Sequence, residues 1–525
     1  MKLKNQFTGI VLAFSVAMSS VTAPAVTAKA ANAEATSAST LATADANATN
    51  VTYSSVRAEA TSTANYVLSL FNDSEIGIYD YRQLILMMQT DSKYYSLFND
   101  YMALVKSYTT DEGKILIDGA ENATIYAAVI DILTMVGFDP ENYYGADYVD
   151  ALSTYITSFE NAEALNTAIG NPYYYSYIIP AVYSYKDEMK DSEKVLSLLK
   201  DAAMLNYKSD ENGIGIDYWG VSTDNNGKIL PALSYFAKDD DTFNKQMHDA
   251  ITWTNNNHRM ADGGYILSSL YGETESNSNS TAMGLCMLSS YDYADDAKAA
   301  YSCLLGLKST ETEGCYTYGG YDSPYSSVDA LEGLVTYSRY LAGMTPCAYD
   351  VADYKHFEIT FSANGGKLKN NSASAKYSVN KLTTFKSLSL ANPTRKGYTF
   401  AGWYTKKTSG TKLTSSSKFS GAATFYARWQ KVTVSKPSTV SLMAGKKSAK
   451  VFVKKVSGAK SYTIVYADNK RFSKAKKVTV TKSPATLKSL KSGKTYYVKV
   501  CANKTDSTNN IVSSSYTSVK KIKVK

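Results

Sequence analysis

The sequence predicts a multidomain protein, with one large all-α domain followed by two small β domains. Between residues 61 and 355, apolar residues recur at helical spacing and with a coarser period of about 50 residues. From residue 356 onwards, apolar and polar residues alternate in short runs separated by turn signals, with a change of composition near residue 430. A chain of 525 residues suits three or four domains of about 100–200 residues each.

The amino-terminal residues predict export. Two lysines in the first four residues precede an apolar stretch at 9–18, and small residues at 28 and 30 suit signal-peptidase cleavage. Residues 1–30 are therefore expected to be a signal peptide of a secreted protein of the cell envelope or extracellular surface. Residues 31–60 are rich in Ala, Thr, Ser and Asn, which predicts a disordered linker. No later stretch has the roughly 20 apolar residues of a membrane helix, so no transmembrane segment is expected in the mature chain.

The coarse period in the helical region predicts about six helix pairs. A small or polar turn is followed each time by a helix entry with an alanine near its start, and a weaker sixth copy precedes these near Tyr81. Units of this size, each unable to bury its apolar face alone, are expected to stack or to close into a ring. The five alanines are Ala128, Ala181, Ala232, Ala282 and Ala330.

Two of these repeats carry a recognisable motif. Residues 253–265 read WTNNNHRMADGGY and are followed by STA at 280–282, and a degenerate copy has GCY at 314–316 and SVDA at 327–330. This pattern resembles the repeat of prenyltransferases and squalene cyclases, the terpenoid cyclase type. The resemblance implies an α/α toroid over residues 61–355, with an inner and an outer ring of helices around a central cavity.

The catalytic motifs of that family are not found. The acidic runs at 239–241 and 292–296 lack the DxDD spacing of the cyclases and are expected to cap helices instead. Ser326 stands where the zinc-binding histidine of the transferases would fall, and the three histidines lack metal-ligand spacing. The oxygen-rich segments 209–213 and 224–227 lack calcium-loop spacing and are expected to be turns, with a weak cation site as the alternative. No metal and no cofactor is expected.

Residues 356–430 carry the phrases TFSANGG, NPTRKGYTFAGWYT and ATFYARW. They resemble the Listeria–Bacteroides repeat, also called the internalin B-type repeat, which implies a small β-grasp-like module of bacterial surface proteins. Such a small module needs large side chains to fill its core. The expected core aromatics are Phe400, Trp403, Tyr426 and Trp429.

Residues 431–525 predict a β-sandwich of short strands. The phrases KKVSGAKSYTIVYA and LKSLKSGKTYYVKVCA resemble a fibronectin type III domain, and Leu490 with Tyr496 matches its tyrosine corner. Val453 departs from the tryptophan usual on an early strand of that family. The segment holds 23 basic and two acidic residues, a net +21, which leaves −13 for the rest of a chain of net charge +8. This asymmetry indicates an anionic partner, for which cell-wall polymer is the nearest candidate and a solvated basic face the alternative.

The five cysteines are too few for a disulfide-stapled fold, so buried free thiols are expected, with one or two disulfides among the four at 286–347 as the alternative.

The candidate site lies where each inner helix of the toroid would begin. Aromatic rings beside carboxylates suit carbohydrate, since rings stack on sugar faces and acids bind hydroxyls, although the same aromatics could simply form the toroid core. The ligand-binding candidates are Tyr218, Trp219, Tyr265, Tyr316, Tyr318 and Tyr321. If the protein is an enzyme, the candidate catalytic residues are Asp217, Asp262 and Asp329.

The leading prediction is a non-catalytic surface or wall-associated binding and adhesion protein, because adhesin-type modules are present and an intact catalytic motif is not. Its partners would be a glycan or a surface protein, with anionic wall polymer on the basic tail and no nucleic acid. The alternative is a secreted glycan-active enzyme, a glycosidase or lyase, in which the toroid is catalytic. A third reading is a structural spacer without a specific ligand.

Overall fold

The computed structural model describes residues 51–71 and 76–525 and separates into two compact units, whose boundary lies between Lys355 and His356. The signal peptide at 1–30 and most of the linker at 31–60 lie outside the described residues.

The described part of the first unit contains thirteen α-helices. They are α1 (Tyr53–Ser69), α2 (Tyr81–Thr90), α3 (Phe98–Ser107), α4 (Ala123–Val136), α5 (Tyr148–Thr157), α6 (Ala162–Ile169), α7 (Tyr175–Tyr185), α8 (Ser192–Met204), α9 (Thr223–Ala237), α10 (Asp241–His258), α11 (Ser278–Ser290), α12 (Ala294–Gly306) and α13 (Pro324–Leu341). Short hairpins precede three of them: β1 (Leu116–Ile117) and β2 (Ala120–Glu121), β3 (Tyr207–Asp210) and β4 (Gly213–Ile216), β5 (Tyr316–Tyr318) and β6 (Tyr321–Ser323).

Six of these helices form a closed inner ring. Helices α2, α4, α7, α9, α11 and α13 are buried on nearly every face, and each packs against the next in that order. Helix α13 then packs against α2, where Arg82 forms ion pairs with Asp329 and Glu332 and closes the ring. Most of the remaining helices, such as α8 and α10, bury only one face against it. The first unit is therefore an α/α toroid, which the family resemblance implied and which is one of the two arrangements that the repeat period allowed.

The helix starts differ from the expectation at two repeats. Ala181 and Ala232 were expected near helix starts, but both lie well inside helices, in α7 and α9, each directly after an interior proline, Pro180 and Pro231. An interior proline costs roughly 3 kcal/mol locally. The adjacent Ile179 and Leu230 are fully buried in the ring, so tertiary packing outweighs that local cost.

The carboxyl-terminal part of the expected linker is helical. The Thr52 side chain caps α1 by accepting a hydrogen bond from the Ser55 backbone N–H at 3.2 Å. The Ser55 hydroxyl in turn accepts a hydrogen bond from the Thr52 backbone N–H at 3.1 Å. Val56 and Ala60 are fully buried. The linker prediction is therefore wrong for residues 53–60, because small residues in a capped helix can still pack against the ring.

Close approach of the inner helices depends on two glycines. A side chain at Gly227 of α9 would collide with the backbone carbonyl of Met283 in α11. A side chain at Gly333 of α13 would lie 2.9 Å from the carbonyl oxygen of Ala282, also in α11. Glycine is thus required at both contacts because any Cβ would push the helices apart.

The second unit contains two β modules. The first is a mixed four-stranded sheet, in the order β8-β7-β10-β9, with β7 and β10 parallel. Its strands are β7 (Phe357–Ser362), β8 (Ser374–Val379), β9 (Tyr398–Tyr404) and β10 (Ala423–Lys431). Among the expected core aromatics, Trp403 is buried, Phe400 and Trp429 pack against the core, and Tyr426 instead lies beneath the ammonium group of Lys407.

The second module is a β-sandwich. A three-stranded sheet, β11-β12-β15, faces a five-stranded sheet in which β13 and β16 are central. The strands are β11 (Val440–Gly445), β12 (Ser448–Val453), β13 (Ser461–Ala467), β14 (Lys476–Val480), β15 (Ala485–Leu487), β16 (Thr495–Thr505), β17 (Ile511–Ser513) and β18 (Lys520–Lys523). The two modules are joined by hydrogen bonds: Gly397 N–H donates to the Asp506 side-chain carboxylate at 2.6 Å, and Ser507 N–H donates to the Tyr398 carbonyl at 2.8 Å.

All five cysteines are free thiols, as expected, and four of them are buried. Among the described residues, no helix has the length and apolar character required to span a membrane.

Replacing Gly333 by alanine should destabilise the toroid by about 1–3 kcal/mol, because the new methyl group would press on the α11 backbone. Chemical denaturation followed by the helical circular dichroism signal would measure this. Gly306→Ala is the matched control, since its Cβ would meet open space and alanine favours a helix. Equal effects of the two substitutions would show that the close contact does not limit stability.

Asp131 of α4 should make the toroid less stable as pH rises. It is fully buried, its carboxylate oxygens have no hydrogen-bond partner among the described residues, and burial, assisted by Asp350, raises its pKa well above the ordinary range. The stability contributed by this protonated carboxyl is complete below about pH 4, where the unfolded group titrates, and declines as pH rises through the folded pKa.

Asp131→Leu should therefore stabilise the protein by about 1–3 kcal/mol near pH 8 and by less near pH 4, as measured by denaturation at both values. The side chain introduced by Asp131→Asn cannot ionise, so this variant should also be stabilised more near pH 8 than near pH 4, relative to the unsubstituted protein. A gain that is independent of pH would contradict the assignment.

Candidate active site at the mouth of the helical ring

The amino-terminal ends of the inner helices meet at one end of the ring, here called the mouth. The Arg82 guanidinium at the start of α2 bonds to Glu332 of α13 at 2.8 Å. Ser326 at the start of α13 donates to Asn279 at the start of α11 at 2.6 Å. The Tyr173 hydroxyl, just before α7, donates to Asn225 in the first turn of α9 at 2.7 Å.

The opposite end of the ring is covered by the residues that follow α13. Asp350 bonds to Arg339 near the end of α13 and to Tyr235 near the end of α9. The Tyr349 side chain reaches inward, where its hydroxyl donates to Glu332 at 2.6 Å and its ring lies 4.4 Å from that of Tyr177. Tyr349 therefore forms a floor beneath the mouth.

Two cations and two carboxylates line this floor and compensate one another. Lys228 pairs with Glu332, and Arg82 pairs with both Glu332 and Asp329. Burial raises the pKa of Glu332, but Lys228 and Arg82 outweigh burial and lower it to about 2. Because removing one partner of a buried pair leaves an uncompensated charge, the cluster holds its geometry firmly.

A third carboxyl group, that of Asp224, lies in the first turn of α9. Asp224 is partly exposed, yet its Oδ1 atom is buried and has no hydrogen-bond partner among the described residues. Burial, and next the charge of Asp329, raise the pKa of Asp224 to about 7. Asp329 itself is held by Arg82 and by the Asn279 amide, which donates at 2.5 Å.

Asp224, in the first turn of α9, and Asp329, in the second turn of α13, are called the carboxyl pair here because the charge of Asp329 acts on the pKa of Asp224, and their environments differ. The first has a pKa near neutrality, and the second accepts charge-assisted hydrogen bonds. Pairs of carboxyl groups whose surroundings differ in this way can divide the roles of proton donor and charged partner in a reaction. This pair can therefore supply general acid chemistry at neutral pH.

Aromatic side chains surround the carboxyl pair. Tyr325, in the first turn of α13, is largely exposed, and the charge of Asp329, and then burial, raises its pKa. Tyr173 packs edge-on against Tyr218 with ring centroids 5.7 Å apart, and Tyr218 stacks on Trp219 at 4.4 Å. The Trp219 side chain is 85% exposed.

Two of the three expected catalytic aspartates fold back on their own loops. Asp217 accepts a hydrogen bond from the Gly220 N–H at 2.8 Å and pairs with Lys208. Asp262 accepts bonds from Gly264 N–H at 2.9 Å and from Ser276 at 2.8 Å. Of the three, the structure places only Asp329 in the carboxyl pair, and its neighbour there is Asp224.

The six expected ligand-binding aromatics differ in burial and in position. Tyr265 and Tyr316 are fully buried, and their hydroxyls donate to Asn255 of α10 and Glu59 of α1, so neither offers a ring to a ligand. Tyr318 and Tyr321 lie exposed on the β5–β6 hairpin, beside the start of α13. Tyr218 and Trp219 lie in a loop whose backbone is bonded by Asn225, the residue after Asp224.

Sequence reasoning missed Asp224, Arg82, Lys228 and Glu332. Residues 224–227 were expected to form a turn, whereas they are the first turn of α9. A usable signal was present: residues 223–228 are polar or glycine although they open a helix whose later residues are strongly apolar, which indicates a polar lining. Among the described residues, no cluster of His, Cys, Asp and Glu is arranged to hold a metal ion.

Comparison with known proteins supports the first β module. Residues 357–428 match the Listeria-Bacteroides repeat domain, which confirms that prediction. No curated protein matches the chain.

Solved structures resemble the helical unit. A glycosyl hydrolase family 88 protein from Bacteroides vulgatus has 9% identity and a TM-score of 0.40, covering 55% of this chain and 100% of that one. A possible GH105 family member from Salmonella enterica serovar Paratyphi A has 10% identity and a TM-score of 0.39, covering 55% and 95%. Cellobiose 2-epimerase from Bacillus thermoamylovorans has 13% identity and a TM-score of 0.41, covering 55% and 99%.

These comparisons correct two expectations. The toroid is found, but the resemblance is not specific to terpenoid cyclases, since these neighbours are named as glycoside hydrolases and an epimerase. The leading prediction, a non-catalytic adhesion protein, is contradicted by the same names and is wrong.

Proposed function

We propose that the protein is a glycan-active enzyme, a glycosidase or lyase, whose active site is the mouth of the toroid. The carboxyl pair carries this proposal. Asp224 has a pKa of about 7 and lies near Asp329, which Arg82 and Asn279 hold in place. The proposal rests on this geometry and not on the distant structural likenesses.

Protonated Asp224 would donate its proton to the oxygen that leaves when a glycosidic bond breaks. Asp329 would face the positive charge that develops on the sugar ring, or would take a proton from the attacking group. Arg82 and Asn279 would act as positioning residues because they bind the Asp329 carboxylate and fix its direction. The floor formed by Lys228, Glu332 and Tyr349 would keep bulk water out from below.

Aromatic side chains would bind the sugar. Trp219, Tyr318 and Tyr321 present exposed rings on which pyranose faces can stack, and the half-buried Tyr218 supports Trp219 from below. Tyr173, which donates to Asn225 beside Asp224, and Tyr325, in the first turn of α13, would add hydroxyl groups to the wall of the site.

The remaining predictions belong to the same proposal. Export would bring the enzyme to extracellular glycans. The carboxyl-terminal sandwich would be a fibronectin type III module, which is supported by the Tyr496 hydroxyl accepting a bond from the Lys491 backbone N–H at 3.1 Å, as in a tyrosine corner. Its net charge of +21 supports an anionic partner, such as an acidic polymer near the substrate.

Asp224→Asn and Asp329→Asn should each lower kcat by about 10²–10⁴-fold, because a positioned acid or charged partner contributes that much. Hydrolysis or elimination of a panel of plant, bacterial and host glycans would be followed by product analysis. Asp217→Asn and Asp262→Asn are matched controls and should retain activity, since both aspartates serve loop structure. Loss of activity in the controls with retention in the first two variants would reverse the assignment.

The pH dependence of kcat/KM should reflect the ionisation of Asp224. Since the acid acts when protonated and its pKa is about 7, kcat/KM should fall about tenfold per pH unit above about pH 7. Glu273 also raises this pKa, so Glu273→Gln should move the alkaline limb to lower pH. Glu163→Gln, at an exposed position on α6, should leave the limb unchanged. A limb that does not move in either variant would show that another group limits activity.

A further inference from the structure

We propose that the substrate is an oligosaccharide that enters the mouth end-first, with its terminal sugar at the carboxyl pair and its next sugar stacked on Trp219. This inference rests on the proposed function and adds the substrate class and the direction of binding. It follows from three features of the toroid: the covered floor, the exposed Trp219 ring, and the way Asn225 holds the Trp219 loop.

The covered floor sets the direction of binding. Tyr349 lies under the mouth and bonds to Glu332, and its neighbour Asp350 joins the far ends of α9 and α13. A chain therefore cannot thread through the ring. Only the end of a glycan can reach Asp224 and Asp329, while the rest of the chain must extend outward past the rim.

The rim carries a series of aromatic rings that begins next to Asp224. The Tyr173 hydroxyl donates to Asn225, which follows Asp224 in α9, Tyr218 packs against Tyr173, and Trp219 stacks on Tyr218. Trp219 ends this series with 85% of its side chain exposed, which is a large apolar surface to leave in water.

The Trp219 loop is held in place by the helix that carries Asp224. The buried Asn225 amide lies close to three carbonyl oxygens of this loop, those of Ile216, Tyr218 and Gly220, at 3.3, 3.1 and 2.7 Å. Trp219 itself adopts a left-handed backbone with φ of 57°, which is uncommon for a large residue. The platform is therefore prearranged relative to Asp224, and Asn225 acts as its positioning residue.

The test measures binding and turnover in the full-length chain. Asp224→Asn removes the acid without adding charge, so affinities can be measured by calorimetry without cleavage. The probes are the mono-, di- and trisaccharides of the cello-, malto-, xylo- and chito- series. We expect the disaccharide of one series to bind about tenfold more tightly than its monosaccharide, and Trp219→Ala to abolish that step.

A matched control is present in the chain. Tyr144 is also exposed, has a left-handed backbone with φ of 52°, and packs on its neighbour Tyr143 with ring centroids 4.8 Å apart, but it precedes an outer helix. Tyr144→Ala should preserve the affinity step. Trp219→Phe should restore part of the step, and Asn225→Asp, which cannot donate, should weaken it although both rings remain.

The outcomes separate the two proposals. If Asp224→Asn abolishes turnover but Trp219→Ala changes neither turnover nor binding, the stacked subsite is overturned and the proposed function stands. Length-dependent binding that requires Trp219, without turnover by the unsubstituted chain, would support the subsite and overturn the enzymatic role. Products released from internal positions of a longer glycan would overturn end-first binding, as would the absence of binding to any probe.

Discussion

Closure of the inner ring by Arg82 is the interaction on which the toroid and its site depend. Arg82 lies in the first inner helix, and its partners Asp329 and Glu332 lie about 250 residues later in the last one. The ion pairs are largely buried, so each partner would be costly to leave alone. The same contact that joins the ends of the repeat array also orients Asp329, which links the stability of the fold to the geometry of the mouth.

Helix spacing is the second constraint on the site. Gly227 lies one turn after Asp224, and Gly333 lies one turn after Asp329, and both glycines contact the intervening helix α11 backbone to backbone. The separation of the carboxyl pair therefore follows from how closely α9, α11 and α13 approach. A recurrent hydrogen bond keeps the repeats in register, since a hairpin or loop N–H bonds to a side chain of the next inner helix: Ile216 to Asn226, Tyr265 to Thr281 and Tyr316 to Ser327.

The second unit is stabilised in a different way, because each of its two β modules has only a small hydrophobic core. The repeat module fills that core with the rings of Phe361, Trp403 and Phe425, whereas the sandwich uses mainly Val, Ile, Ala and Leu with a few tyrosines. Asp506 ties the modules together by accepting the Gly397 N–H, and several hydrogen bonds lower the pKa of Asp506 to about 2 in spite of desolvation. The junction is thus built on a charged acceptor that stays ionised over the ordinary pH range.

The sequence by itself determined the domain order, the period of the helical repeats and the Listeria–Bacteroides repeat, because these depend on local patterns of apolar, small and turn-forming residues. It did not reveal which carboxyl groups would meet. Asp217 and Asp262 stand beside conspicuous turn motifs, yet they bond to residues two or three positions away and are used by their own loops. Asp224 and Asp329 are about 100 residues apart and have no local signature as a pair. The burial of Asp224 and the neighbouring charge of Asp329, which together raise the pKa of Asp224, depend on the packing of the inner helices and on the closure of the ring by Arg82.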